Sequence, residues 1–183
     1  MNNHESIKSN NKGLSLIELL IVIAIMTIIG GTVFLSTSVA TNRHVNSCAN
    51  KIKTAFEQTR NLTLGKQNGK IKFWVASDGQ VYAQMYIDGS AYGDQVAIGH
   101  TGLTVTFVYV NPLNAGIVYN QELTATGAEI SFSRSTGGIT SQIFNGLPID
   151  PSTKKLKQIK VTNGNRTITI EVDSYTGRVN ILD

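Results

Sequence analysis

A single cysteine, Cys48, leaves no partner for an intrachain disulfide among the 183 residues, so any folded part of the chain must be held by its core. Cys48 reads as a small apolar residue on a helix face. The three histidines, His4, His44 and His100, are scattered along the sequence, and with one thiol they offer none of the ligand spacings of a metal centre. Charged residues are only 15% of the chain, and a net charge of +4 is too weak a basic balance to indicate a nucleic-acid partner by itself. Catalytic patterns are missing as well. There is no nucleophile elbow with Ser, His and Asp partners, no phosphate-cradling loop and no dinucleotide fingerprint. Asp88, Asp94 and Asp150 fall in expected loops without the spacing of a calcium site. These absences argue against an enzyme and against a bound cofactor or metal.

What is present is concentrated near the N-terminus. Residues 1–12 are polar and include Lys8 and Lys12, and residues 19–42 contain no charged side chain. That run exceeds the roughly 20 residues a helix needs to cross a bilayer. The two lysines before it would hold the leading residues on the cytoplasmic side and put the C-terminal bulk outside. An ordinary secretory signal, with a small-residue cleavage site between Ser36 and Ala40, is one reading of such a segment, and a plain N-terminal anchor is another. Neither accounts for Glu18 at the head of the apolar run. A carboxylate there is costly in lipid and points to a partner or a function, although a side chain so near the end could also snorkel to the headgroups.

The stretch Lys12-Gly13-Leu14-Ser15-Leu16-Ile17-Glu18-Leu19-Leu20 resembles the class III leader of type IV pilins and pseudopilins. The resemblance implies that a membrane prepilin peptidase cuts between Gly13 and Leu14, that the same peptidase/methyltransferase system N-methylates Leu14, and that Glu18, fifth in the mature chain, pairs with the N-terminus of a neighbouring subunit. Phenylalanine is commoner in that family where Leu14 stands here. The implied partners are the processing enzyme, other pilin subunits in a filament, and the inner or cytoplasmic membrane. The implied location is a single-pass membrane protein with its head outside, passing later into an extracellular or periplasmic filament.

The adjacent glycines Gly30 and Gly31 make the expected helix locally soft, at roughly 1 kcal/mol each relative to alanine. Beyond them, Val45, Cys48/Ala49, Ile52, Ala55/Phe56, Thr59 and Leu62 recur at spacings of three and four, with Arg43, Asn46, Asn50, Lys53, Glu57 and Arg60 between them. This predicts one amphipathic continuation that stops near Gly65 or Gly69. The pattern then turns to strands: a hairpin over 70–76 and 81–87 about the turn 77–80, a strand at 103–110, another at 128–133, a loop over 146–153, and a closing meander over 156–162, 167–172 and 178–182. The expected fold class is α+β, a long N-terminal helix packed on a small antiparallel β head. The expected divisions are a leader (1–13), a membrane and filament-core helix (14–42), an amphipathic half (43–65) and the head (66–183).

Phe132 followed by Gly137-Gly138, and Thr176-Gly177-Arg178-Val179 at the end of a hairpin, resemble the head of the H-type minor pseudopilins and related minor pilins. There the long helix packs on two small antiparallel sheets. Some minor pilins with this head bind DNA. Lys154, Lys155, Lys157, Lys160, Arg166 and Arg178 make the C-terminal third basic against Asp150, Glu171, Asp173 and Asp183, so DNA is kept as an alternative partner, together with a simple membrane-anchored surface module.

Overall fold

The computed structural model describes residues 16–64 and 67–182, with side chains outside 28–41. Its elements are one helix, α1 (Leu16–Thr63), and eleven strands: β1 (Gly69–Val75), β2 (Val81–Ile87), β3 (Ser90–Gly99), β4 (Thr104–Asn111), β5 (Asn114–Glu122), β6 (Ala128–Phe132), β7 (Ile139–Phe144), β8 (Leu147–Pro148), β9 (Lys155–Thr162), β10 (Thr167–Asp173) and β11 (Arg178–Leu182). The fold class is α+β, a helix followed by antiparallel sheets. The chain divides into two compact units between Val39 and Ala40. In the first, the backbone is helical from Leu16 onward, and Gly30-Gly31 does not break it. Leu64 closes the last turn by donating to the Arg60 carbonyl. Gly65, one of the two expected stops, lies outside the described residues, while Gly69 begins β1.

The second unit is the head. One sheet has six strands in the order β3-β2-β1-β6-β7-β8, the other five in the order β11-β10-β9-β4-β5. Every pairing is antiparallel. The predicted hairpin and closing meander are present. The sequence reading assigned no strand to β3, β5 or β7, and β8 falls in the stretch read as a loop over 146–153. β3 and β5 are edge strands, exposed over most of their length, so no buried face imposes the alternation by which a strand is recognised. Asp94, expected in a loop, lies within β3.

The two sheets and one stripe of α1 enclose a single core. Val45, Cys48, Ala49, Ile52, Phe56 and Thr59 are fully buried, as their spacing predicts, and Thr63 takes the last buried position, with Leu62 only half-buried. Full burial of Ile52 or Phe56 contributes on the order of 1.5–3 kcal/mol each. Thr59 and Thr63 satisfy their hydroxyls on the helix itself, donating to the carbonyls of Ala55 and Thr59. Phe56 meets Phe132 of β6 edge-on, with ring centres 4.9 Å apart. Phe107 of β4 touches both Phe73 of β1 and Phe144 of β7, which joins the sheets directly. Burial pushes the Cys48 thiol up to about 12 against a smaller opposing pull from Lys51, so Cys48 is a packing residue and an unreactive thiol.

The two short stretches singled out in the sequence converge on the end of the helix. Phe132 packs on Phe56, and one helical turn later Gly137 lies against Arg60, where an added Cβ would stand 2.8 Å from Nε. The Arg60 Nε donates to the Thr176 carbonyl at 2.6 Å. A Cβ on Gly177 would meet the Gly137 carbonyl at 2.0 Å, and one on Gly138 the Tyr175 carbonyl at 2.2 Å. Ile139 donates to the Ser174 carbonyl across the same contact. The β6–β7 turn of one sheet and the β10–β11 turn of the other are thus pressed backbone to backbone over one arginine. Gly137 and Gly177 also hold φ values of 71° and 64°, so the turn reading was right but partial.

On the outer face of the six-stranded sheet, Glu129 accepts from Lys70 at 2.8 Å and pairs with Lys72 at 3.3 Å. Partial burial pushes the Glu129 carboxyl up, but the hydrogen bonds and charges of Lys70 and Lys72 outweigh it and hold the group below the ordinary glutamate range. Its contribution is therefore present above the unfolded-state value of about 4.3 and is lost as pH falls through the lower folded value. Glu129→Gln should lower stability by about 1 kcal/mol at pH 7, and the difference from the parent should shrink as the pH is lowered and the Glu129 carboxylate is protonated, as read by urea unfolding across that range. Gly177→Ala should cost more than about 2 kcal/mol, because it adds left-handed strain to a backbone clash. Thermal unfolding followed by circular dichroism measures it, and an unchanged Tm would show that the two turns do not need their close approach.

Candidate functional site

The N-terminal segment is the region whose surface does not suit a free polypeptide in water. The large apolar side chains from Leu16 to Met26 are 44–81% exposed. They follow one another along the helix, so all sides of it are apolar. A stripe of that kind ordinarily packs on one partner face, whereas an apolar surface all round calls for an enclosing environment, a lipid phase or a bundle of like helices. Among the described residues no helix is long and apolar enough to cross a membrane. Side chains are described for only the first part of the uncharged run, 16–27, which as helix covers about 18 Å.

Glu18 lies in the first turn of α1 and is exposed. The first turn is where the unsatisfied amides and the macrodipole favour a negative charge, by about 0.3–1 kcal/mol. In the sequence this carboxylate is flanked by Leu16, Ile17, Leu19 and Leu20. Gly13 and Leu14, the residues read as flanking the cleavage, lie outside the described residues, as does His4.

Of the six cations weighed for DNA, Lys155, Lys157 and Lys160 alternate with buried residues of β9 and share the outer face of the five-stranded sheet with Arg178 of β11, interleaved with carboxylates. Lys155 donates to the Tyr175 hydroxyl at 2.6 Å, Lys154 lies over the Tyr119 ring, and Lys157 pairs with Glu171 at 2.9 Å. Lys155, Lys157 and Arg178 line a cleft of about 500 Å³ that also holds Glu171 and Asp173. Arg166 follows the opposite end of β9, roughly 25 Å away along the strand. Of the three aspartates considered for calcium, Asp88 accepts from the Asn68 amide, and Asp150 accepts from the Ser152 amide and hydroxyl, so both hold their own turns. The Ser152 bonds lower the Asp150 carboxyl below its ordinary range. Among the described residues no group of three or more His, Cys, Asp or Glu is arranged to hold a metal ion.

The fold also brings together two residues that are distant in sequence. His44 on α1 and His100, just after β3, are far apart in sequence, yet their rings lie 4.2 Å apart between centres. No local signal could have shown this, because the approach is set by how β3 crosses the helix.

No curated protein and no solved structure matches the chain. Residues 8–34 match the family described as the prokaryotic N-terminal methylation motif. The matched span takes in the end of the polar stretch from Lys8, then Gly13, Leu14, Glu18 and the first part of the uncharged run. The N-terminal segment of this chain therefore carries the prokaryotic N-terminal methylation motif, which supports its reading as a class III prepilin leader.

Proposed function

We propose that the chain is a minor structural subunit of a type IV pilus or of a type II secretion-like pseudopilus. In this reading the peptidase removes 1–13, Leu14 becomes the methylated N-terminus, 14–42 holds the subunit in the membrane, and the same helix later packs in the filament core. The observation that carries it is the methylation motif at residues 8–34 leading into a helix apolar on all sides. The uncharged sequence from 19 to 42 supports a membrane span, and Lys8 and Lys12 support a cytoplasmic leader. The helix-plus-two-sheet head supports a pilin-like fold, and the short Gly137-Gly138 and Gly177 stretches, with no disulfide-closed loop, support a minor subunit.

Cleavage after Gly13 removes charge but leaves the apolar helix on the protein, so the product stays in the bilayer until it is extracted. It also creates a new ammonium four residues before Glu18. Within one helix the carboxylate suits the N-terminal end, whereas the ammonium there is opposed by the macrodipole and gains from a carboxylate nearby. Between neighbouring helices, the carboxylate of one and the ammonium of the other neutralise each other in an apolar core. An uncompensated buried charge costs about 3–5 kcal/mol, enough to fix the axial register of adjacent subunits.

Two substitutions separate processing from assembly. Gly13→Ala should leave the chain at its precursor size in membranes on an immunoblot, and mature-sized product would sink the cleavage assignment. Glu18→Ala should be processed normally but fall at least tenfold in sheared filament fractions. Incorporation at the parental level would remove the register role while leaving the cleavage assignment intact.

A further inference from the structure

We propose that His44 and His100 form a two-imidazole site for a divalent transition-metal ion, clipping α1 to the turn between β3 and β4. The pair is built by the fold. Gly99 presses on the helix, where a Cβ would stand 3.0 Å from the Cys48 Sγ and 3.1 Å from the Val81 Cβ. That close approach puts the next residue, His100, beside the helix one turn before Cys48, where His44 projects. Three bonds hold the approach. Lys51 donates from Nζ to the Ala97 carbonyl at 3.0 Å, Thr101 donates from Oγ1 to the Asp78 carbonyl at 2.9 Å, and the Leu103 amide donates to the His100 carbonyl at 3.3 Å.

The ring geometry suits a shared ion. Two imidazoles bound side by side at about 2.0–2.1 Å from one metal place their ring centres about 4.5–5 Å apart. The observed 4.2 Å, with the planes tilted by 55°, is within a few tenths of an ångström of side-chain adjustment. Within the described residues neither imidazole makes a hydrogen bond or ion pair, so their nitrogen lone pairs are uncommitted. The rings open on a cavity of about 170 Å³ that Asn163 and Asn165 also line. The Asn163 Oδ1 already accepts from the Asn165 and Arg166 amides, which leaves the Asn165 side chain and water for the remaining positions. Two nitrogens with open positions do not make the closed four-ligand shell of a structural zinc site. They fit an ion that prefers imidazole and tolerates water, with copper(II) bound more tightly than nickel(II) or zinc(II).

The test uses the detergent-solubilised full chain without a histidine tag and with His4→Ala, so that the leader histidine cannot compete. Titration calorimetry with copper(II), nickel(II) and zinc(II) chlorides should show one ion per chain, copper tightest. His44→Ala and His100→Ala should each weaken copper binding at least tenfold, and the copper resonance spectrum should report two nitrogen ligands in the parent and one in either variant. Metal at about 100 times Kd should raise the parent Tm by on the order of 5 °C, with no rise in the variants. His100 is exposed, so its variant keeps the fold and the comparison informative. Copper affinity unchanged in the folded His100→Ala chain, or no binding of any of the three ions at millimolar concentration, would overturn the site.

Discussion

The head stands on one buried stripe of one helix. Val45, Cys48, Ala49, Ile52, Phe56 and Thr59 lie in the same core as residues of both sheets, so the two sheets share a single apolar surface on α1. With no disulfide available, this shared surface does the work of a cross-link. Its small members matter as much as its large ones. Ala49 and Cys48 let strands come close, and Gly99 uses that room, while Phe56 and Ile52 supply the area. At the lower end of the stripe Thr59 and Thr63 are buried polar residues, but each returns its hydroxyl to a helix carbonyl and leaves nothing unsatisfied.

Beyond that stripe, the sheets are joined at a second place by backbone alone. Gly137, Gly138 and Gly177 bring two turns into contact at distances no side chain would permit, and Arg60 closes the group by donating to the Thr176 carbonyl. The helix thus touches the head with two kinds of chemistry: apolar area from Val45 to Phe56, and one cation at its end, where the last carbonyls also favour positive charge. The N-terminal part of the same helix has a different surface, apolar on all sides and exposed. A single element carries one face for its own head and a full circumference for other surroundings. The motif at residues 8–34 accounts for the second kind of surface, and the core of the head accounts for the first.

Much of this was legible where burial is one-sided. The spacing Val45, Cys48/Ala49, Ile52, Phe56, Thr59 marked the buried face because a helix half in water must repeat every three to four residues. The hairpin β1–β2 and the meander β9–β11 were legible because their inward residues alternate with polar ones. β3 and β5 were not, since an edge strand such as Ser90–Gly99 has no partner on one side and no buried face over its first seven residues. The two-residue β8 is too short to carry any pattern, and Pro148 argued for a loop. Gly137 and Gly177 were read as turn glycines, which their positive φ supports, but the opposing backbone that forbids a side chain comes from a turn about forty residues away and has no trace in the local sequence. The meeting of His44 and His100 was hidden for the same reason.

The order of the strands along the chain has a temporal meaning. The chain builds β1–β3 into one sheet, passes to the other for β4–β5, returns for β6–β8, and only then supplies β9–β11. β4 finds its central partner, β9, only after β5 to β8 have been made, three of them in the other sheet. Until β9–β11 arrive, Phe107 and Val105 of β4 face an unfinished core, and Arg60 has no Thr176 carbonyl to meet. As the ribosome delivers this chain from its N-terminus, the apolar helix emerges well before the strands that seal the head. The head therefore closes only once β9–β11 have been delivered, and a chain that stopped before β10 would be left with an open core.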